Sequence, residues 1–374
     1  MTADAPITVS TDQIEPTHTE RGDHEFTRRQ LGVATAADAL GCSHYEIPPN
    51  RRTWLTHYHA GNEEALYVLD GAGTVALGPD GEEHTLEPGD YVPFTADEAG
   101  THDVRAGDDG LTALAFSTMD EPDITVYPEV GKVGLFAGSA PGRSEGRTLS
   151  KTLDSHAEVP YWEDEADNET GDTDGGNEND EGHDGLRETE ATDIDADLSE
   201  RVVNERAVAA DEYDHGERRF RRKRLAAAAG GEALGCSLHE VGPSAKTWPA
   251  HYHTANEEAI YVLDGEVRLS VGPAEADPAD RTDHVLGPGE FAALPIGPEY
   301  VREVEGESAG DGESAGDGES ARYLVVSTMI EPAFTVLPDA GAVHLMAGGA
   351  PGNYEDRYLS TTLDLGGDVD YWEA

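Results

Sequence analysis

Trp54-Leu-Thr-His57-Tyr-His59-Ala-Gly-Asn-Glu63-Glu64-Ala-Leu-Tyr-Val-Leu-Asp70-Gly71 decides how this chain is read. Two histidines stand one residue apart, a carboxylate follows five positions after the second, and an apolar run then ends in Asp-Gly. In a strand, residues i and i+2 point to the same face, so the imidazoles of His57 and His59 converge on one point. Two imidazoles and a carboxylate around a point form a metal-binding pattern. The same pattern returns as Trp248-Pro-Ala-His251-Tyr-His253-Thr-Ala-Asn-Glu257-Glu258-Ala-Ile-Tyr-Val-Leu-Asp264-Gly265.

The rest of the chain repeats as well. Leu40-Gly41-Cys42-Ser43 returns as Leu234-Gly235-Cys236-Ser237, a shift of 194 that the histidine stretch shares. Pro88-Gly89-Asp90 returns as Pro288-Gly289-Glu290 at a shift of 200, and Ser117-Thr118-Met119 as Ser327-Thr328-Met329 at 210. Ala140-Pro141-Gly142 and Tyr161-Trp162-Glu163 have their copies at Ala350 and Tyr371. One domain is therefore written twice, over residues 1–163 and 201–374. Residues 164–200, rich in Asp, Glu, Gly, Asn and Thr, have too few large apolar side chains to offset ordering entropy and read as a solvated linker. Residues 306–321 repeat Gly-Glu-Ser-Ala-Gly-Asp and read as a mobile loop inserted in the second copy.

Within each copy, short runs such as Ala65–Leu69, Thr74–Leu77, Asp90–Phe94 and Leu111–Ser117 are apolar, aromatic or β-branched and have strand length. Asp70-Gly71, Pro79-Asp80-Gly81 and Pro88-Gly89-Asp90 punctuate them as turns. Helical periodicity is weak outside Arg224–Ala229. Many short antiparallel strands with regular turns predict an all-β sandwich or barrel.

Charge narrows the setting. Among 374 residues, 25 Lys+Arg face 77 Asp+Glu, a net charge of −52. Such a charge repels the compact state at low ionic strength, whereas molar salt screens it to within about 3 Å. The acid is spread through both halves, which points to a salt-loaded cytoplasm and a halophilic source rather than calcium storage or nucleic-acid mimicry. Nucleic acid is an unfavourable partner for this field. The basic run Arg218–Arg224 aligns with Glu25–Arg29 and reads as an early strand. No stretch approaches the roughly 18 apolar residues of a membrane span. The N-terminus lacks the basic-then-apolar order of a signal peptide. Cys42 and Cys236 occupy matching contexts and read as small core residues, and Trp54 and Trp248 read as core packing.

At this point the motifs resemble those of the cupin superfamily. Its first motif, His-x-His, a short gap, Glu, six residues, Gly, is matched by His57, His59, Glu64 and Gly71, and again by His251, His253, Glu258 and Gly265. Its second motif, a Pro-Gly turn into a strand and then a histidine, is matched by Pro88-Gly89-Asp90 and His102. The second copy carries Pro288-Gly289-Glu290 but no such histidine; loop spacing puts Tyr300 at the ligand position, and an alternative alignment puts Glu299 there. Leu-Gly-Cys and Tyr127-Pro-Glu-Val-Gly-Lys132 further resemble a poorly characterised cupin group, a pattern that Leu337-Pro338 in the second copy departs from.

The resemblance implies two tandem jelly-roll (double-stranded β-helix) barrels that pack as an intramolecular pseudo-dimer, leaving homo-oligomerisation open. It implies a divalent ion, Fe, Mn, Ni or Zn, held by His57, His59, Glu64 and His102, and a second shell of His251, His253, Glu258 and Tyr300. Such a shell leaves one or two positions for water, dioxygen or substrate. The expected activity is metal-dependent chemistry on a small organic molecule, dioxygenase or other oxidoreductase chemistry ahead of isomerase or decarboxylase chemistry. A non-catalytic ligand-binding or sensing barrel is the alternative.

Overall fold

The computed structural model describes residues 5–140, 143, 146–157, 198–307, 320–349 and 356–367. The Tyr-Trp-Glu repeats, most of the acidic linker and most of the 306–321 insertion lie outside the described residues. The chain forms two jelly-roll barrels of antiparallel strands. The first joins a large sheet, with neighbours Asp90–Phe94, Glu64–Leu77, His102–Thr118, Leu40–Ile47, His24–Gln30 and Thr17–Arg21, to a four-stranded sheet built on Tyr58–His59 and Asp123–Tyr127. The second repeats this order with Glu290–Leu294, Glu258–Asp264, Ala321–Thr328, Leu234–Val241, Arg218–Arg224 and Asp211–His215, and with Tyr252–His253 against Ala333–Leu337. The helix-prone stretch after Arg224 is a single turn, Leu225–Ala228.

The apolar run after Glu64 is continuous because both faces of its strand are buried. Leu66 and Val68 point into the first barrel with Val75, Val92 and Phe94. Ala65 and Tyr67 point the other way, into a core shared with the second barrel's Leu225, Leu234, Leu238, Phe291 and Leu324. Each fully buried Leu or Phe there contributes roughly 1.5–3 kcal/mol. The second barrel mirrors the pattern, with Ile260 and Val262 inward and Ala259 and Tyr261 at the seam. Cys42 and Cys236 are buried and free in the same shared core. At the bend of the long strand Gly71 has φ +82°, and a Cβ there would lie 2.3 Å from the Gly110 carbonyl oxygen, so no other residue fits.

The barrels also exchange strands, which the repeat boundaries did not anticipate. Thr8–Ser10, at the start of the first copy, pairs with Glu290–Leu294 of the second barrel. Val203–Asn204, at the start of the second, pairs with Asp90–Phe94 of the first. Each short strand covers an edge that would otherwise be open. Two carboxylates reinforce the seam. Glu63 accepts the backbone N–H groups of Glu232 and Ala233, and Glu257 accepts those of Asp38 (3.0 Å), Ala39 (3.3 Å) and Leu40 (3.1 Å). Burial outweighs these donors and pushes the Glu63 carboxyl up to about 7.

Candidate metal centre

His57 and His102 are paired across two chain segments, each N–H donating to the other's carbonyl (3.2 and 2.9 Å). His59 is held by pairing with Thr125, and Glu64 opens the long strand opposite Ser117 and Phe94. The result gathers four side chains from four places in the chain. Glu64 Oε2 lies 3.8 Å from His57 Nε2, 3.6 Å from His59 Nε2 and 3.5 Å from His102 Nε2. Metal–ligand bonds of about 2.0–2.2 Å put adjacent donor atoms about 3 Å apart and opposed ones about 4 Å apart, and the donor atoms of His57, Glu64 and His102 all lie within 4.8 Å of one another, while His59 meets this group through Glu64.

The outer nitrogens decide which atoms would face an ion. His57 Nδ1 donates to the Leu55 carbonyl (2.7 Å) and His102 Nδ1 to the Gly100 carbonyl (2.9 Å). His59 Nδ1 meets Asp123 Oδ2 at 2.6 Å, with the Asp123 side chain fully buried. A proton on each Nδ1 leaves each Nε2 lone pair turned toward Glu64. Burial, with the neighbouring imidazoles His102 and His59, holds His57 well below its ordinary pKa, and burial also lowers His102. Burial opposes protonation of His59 too, but Glu64 and Asp123 outweigh it and raise this one pKa. Neutral imidazoles are what a metal requires. The phenyl of Phe94 stacks on His102 at 3.8 Å and 7°, and Tyr127 stacks on His57 at 5.8 Å and 24°. The space that opens beside Glu64 is small, about 60 Å³, and is lined by Arg28, Gln30, Ser117, Met119 and Arg143.

The second barrel differs at the decisive position. His251 pairs with Arg302 as His57 pairs with His102, N–H to carbonyl in both directions (3.1 and 2.9 Å). The fourth-ligand position is thus Arg302; Tyr300, expected there from loop spacing, and Glu299, from the alternative alignment, stand where Gly100 and Ala99 stand in the first barrel. The shift of 200 that relates the Pro-Gly turns continues unbroken through this loop, and applying it to His102 would have found the arginine. The Tyr300 side chain packs against the second barrel's core. Arg302, 2% exposed, donates from Nε (3.2 Å) and Nη2 (2.6 Å) to Glu258 Oε2. Glu258 Oε1 lies 3.3 Å from His253 Nε2. Burial would raise the Glu258 pKa, but His253 and Arg302 reverse this and hold it well below the ordinary range, while burial, Arg302 and His253 push His251 down to about 3. His251, His253 and Glu258 still cluster closely enough to hold an ion. A guanidinium 4 Å from a dication would, however, oppose it by roughly 8 kcal/mol at an effective dielectric of 20.

A second loss accompanies the first. Asp123, which orients His59, is replaced in register by Ala333. Sequence reasoning passed over Asp123 altogether, although the same shift of 210 that matched Ser117 with Ser327 exposes the change. The second barrel instead encloses about 440 Å³ around these residues. Trp54 packs edge-on against Phe26 (4.6 Å) and donates to the Tyr45 hydroxyl but is 42% exposed rather than in the core, and Trp248, packed in the same way against Phe220 (4.8 Å), is partly buried and lines the second cavity. The basic run is the strand Arg218–Arg224, its Arg221 paired with Glu212 and Glu240. Among the described residues no helix is long and apolar enough to cross a membrane.

Residues 43–118 match a family model described as a cupin domain. An L-ectoine synthase of Mycolicibacterium gilvum is 30% identical over 83 residues, which is 22% of this chain and 62% of that relative, so the likeness spans less than two thirds of its length. Among solved structures, an oxalate decarboxylase of Bacillus subtilis superposes with a TM-score of 0.51 at 14% identity, covering 87% of this chain and 78% of that one. A formate complex of the Lactobacillus farciminis oxalate decarboxylase gives 0.51 at 16% identity, covering 88% and 87%. A further structure of the Bacillus enzyme, described for its Mn(II) centres, gives 0.50 at 13% identity over the same 87% and 78%. With a cupin-domain match in the first barrel and two-barrel enzymes superposing over both, the protein has a tandem jelly-roll fold like that of the oxalate decarboxylases it superposes on.

Proposed function

We propose that the first barrel binds one divalent ion through His57, His59, Glu64 and His102, and that the chain is a metal-dependent enzyme acting on a small organic molecule. The observation that carries this reading is the convergence of three imidazole Nε2 atoms on Glu64 Oε2 at 3.5–3.8 Å, each imidazole fixed through its other nitrogen. When bound, the ion would supply a Lewis acid with open positions for dioxygen or a substrate oxygen. The chain's own part is to keep His57 and His102 neutral, through burial, and to orient His59 through Asp123. Phe94 and Tyr127 keep water from two sides of the cluster. Arg28, whose Nε donates to Ser43 Oγ (3.0 Å), lines the opening beside Glu64 and would favour a substrate with a carboxylate or other anionic group.

Dioxygen-dependent oxidation is the first reaction to test, followed by decarboxylation. The setting in which we expect it to work is a salt-rich cytoplasm, given the net charge of −52. The second reading is a binding barrel without turnover, since the space of about 60 Å³ beside Glu64 takes a molecule of few atoms. Oxygen uptake and product formation on a panel of small carboxylates, sugar acids and phenols, with Fe(II) or Mn(II) in molar KCl, separates the two. Turnover lost on His102→Ala supports the enzyme. Saturable binding without turnover across the panel would leave the binding module.

A further inference from the structure

We propose that the second barrel is a metal-free site for an uncharged small organic molecule, an apolar body carrying one hydroxyl. The cavity of about 440 Å³ in this barrel compares with about 60 Å³ in the first, and the replacements that open it are coordinated. In register, Phe94 becomes Leu294, Tyr127 becomes Leu337 and Phe136 becomes Met346, so aromatic rings give way to aliphatic walls. His102 becomes Arg302 and Asp123 becomes Ala333, so a ligand and the group that orients one are lost together. Arg302 holds Glu258 Oε2 through Nε (3.2 Å) and Nη2 (2.6 Å), the counterpart of the Glu64 atom on which the first barrel's imidazoles converge. Volume is gained where the supports of an ion are lost, which fits a barrel that holds an organic molecule.

The charges that line the cavity cancel. Arg222, Arg302 and Arg357 stand against Glu258, Glu303 and Glu331. Arg302 is engaged by Glu258 and by the Tyr300 carbonyl (3.4 Å), and Arg222 Nε donates to Ser237 Oγ (3.0 Å). Glu303 is held by Arg218 (2.8 Å) and Lys246 (2.9 Å), and Glu331, which is exposed, accepts the Gly348 N–H. A charged ligand would bring a charge without a counterpart into a mostly apolar space, and burying it unpaired is unfavourable. The balance selects an uncharged one. His251 offers it a polar contact: its Nδ1 donates to the Pro249 carbonyl (2.7 Å), which leaves the lone pair of the neutral ring on Nε2. Glu258 Oε2, 4.0 Å from that nitrogen, is an acceptor too and cannot satisfy it. A ligand hydroxyl can donate there, while Ile260, Leu294, Val325, Leu337 and Met346 enclose the rest of the molecule. A volume of several hundred Å³, mostly apolar with a few polar groups, is that of a small-molecule site.

The test is calorimetric titration of the full chain at neutral pH in molar KCl with EDTA, using butanol, hexanol and octanol, then hexanoate, hexylammonium and the methyl ether of hexanol. Expected is one alkanol bound per chain, with affinity rising about fourfold for each CH₂ added. Hexanoate and hexylammonium should bind weaker than hexanol by about tenfold or more, and the methyl ether, which cannot donate, by about two- to tenfold. His251→Phe, which keeps a ring and removes the acceptor, should erase the preference for hexanol over its ether while both still bind. Leu294→Phe with Leu337→Tyr, which installs the first barrel's own residues, should abolish binding, and His57→Ala with His59→Ala should leave it unchanged. Absence of saturable binding by any alkanol, a charged hexyl compound that binds as tightly as hexanol, binding that needs a metal, or binding lost with His57 and His59 would overturn the proposal. The comparison of charged with uncharged probes is made on the wild-type chain and stands whether or not a variant folds. None of these outcomes depends on whether the first barrel turns over a substrate.

Discussion

Asp123→Asn isolates the contribution of a single buried charge to the first barrel's affinity for an ion. Asp123 Oδ2 meets His59 Nδ1 at 2.6 Å while Oδ1 accepts the Gly61 N–H at 3.0 Å, and the side chain is fully buried. An asparagine keeps the shape but has one acceptor oxygen for two donors. Either His59 loses its partner or the Gly61 N–H faces an amide NH₂. Replacing the partner of a metal-bound histidine costs about 10–100-fold in affinity, equivalent to about 1.4–2.8 kcal/mol. The second unmatched donor places this variant toward the upper end. Competition of Mn(II) between the protein and a chelator in molar KCl measures the change. An affinity within about threefold of wild type, in a variant that melts normally, would show that His59 is not oriented by Asp123 for metal binding. Asp123→Ala, which copies Ala333 of the second barrel, should weaken binding at least as much.

Three further expectations concern stability. Glu257→Gln leaves one amide oxygen for three buried backbone N–H groups across the seam, and should cost about 1–3 kcal/mol in denaturant unfolding. Leu225→Ala opens a hole in the shared core, where Leu225 is 0% exposed, and should cost about 2–5 kcal/mol, read as a lower denaturation midpoint. His239 is buried, with its pKa pushed down to about 3 by burial and by Arg222. The unfolded chain takes up that proton near pH 6.5 and the folded chain does not, so stability falls as pH drops from about 6.5 toward 3 and is unaffected above it. At about pH 5 this amounts to roughly 2 kcal/mol. His239→Gln, which cannot be protonated, should lose about that much less between pH 7.5 and 5 than the wild type does; an identical loss in both would remove His239 as the cause.

Much of the fold lay open in the sequence because its signals are local. The apolar run after Glu64, the Asp-Gly and Pro-Gly turns and the internal repeat each report on neighbours in the chain. The first cluster was legible in part, since His57 and His59 stand two apart, Glu64 follows within the same motif and His102 follows a recognisable turn. What escaped depended on contacts between distant segments. Asp123 reaches His59 across 64 positions and carries no motif of its own. The exchange of Thr8–Ser10 and Val203–Asn204 is a choice between two near-identical edges, which a repeated sequence cannot make by pattern alone. Arg302 was hidden for a different reason: an arginine is not a ligand-type side chain and Tyr300 stands two places before it, whereas backbone pairing with His251 singles out Arg302.

The most direct measurement is the metal content of the full chain purified in molar KCl without chelator, beside the His57→Ala, His59→Ala and the His251→Ala, His253→Ala variants. About one divalent ion per chain is expected, lost with His57 and His59 and kept when His251 and His253 are changed. Wild-type metal content in the His57→Ala, His59→Ala chain would contradict the assignment of the centre to the first barrel.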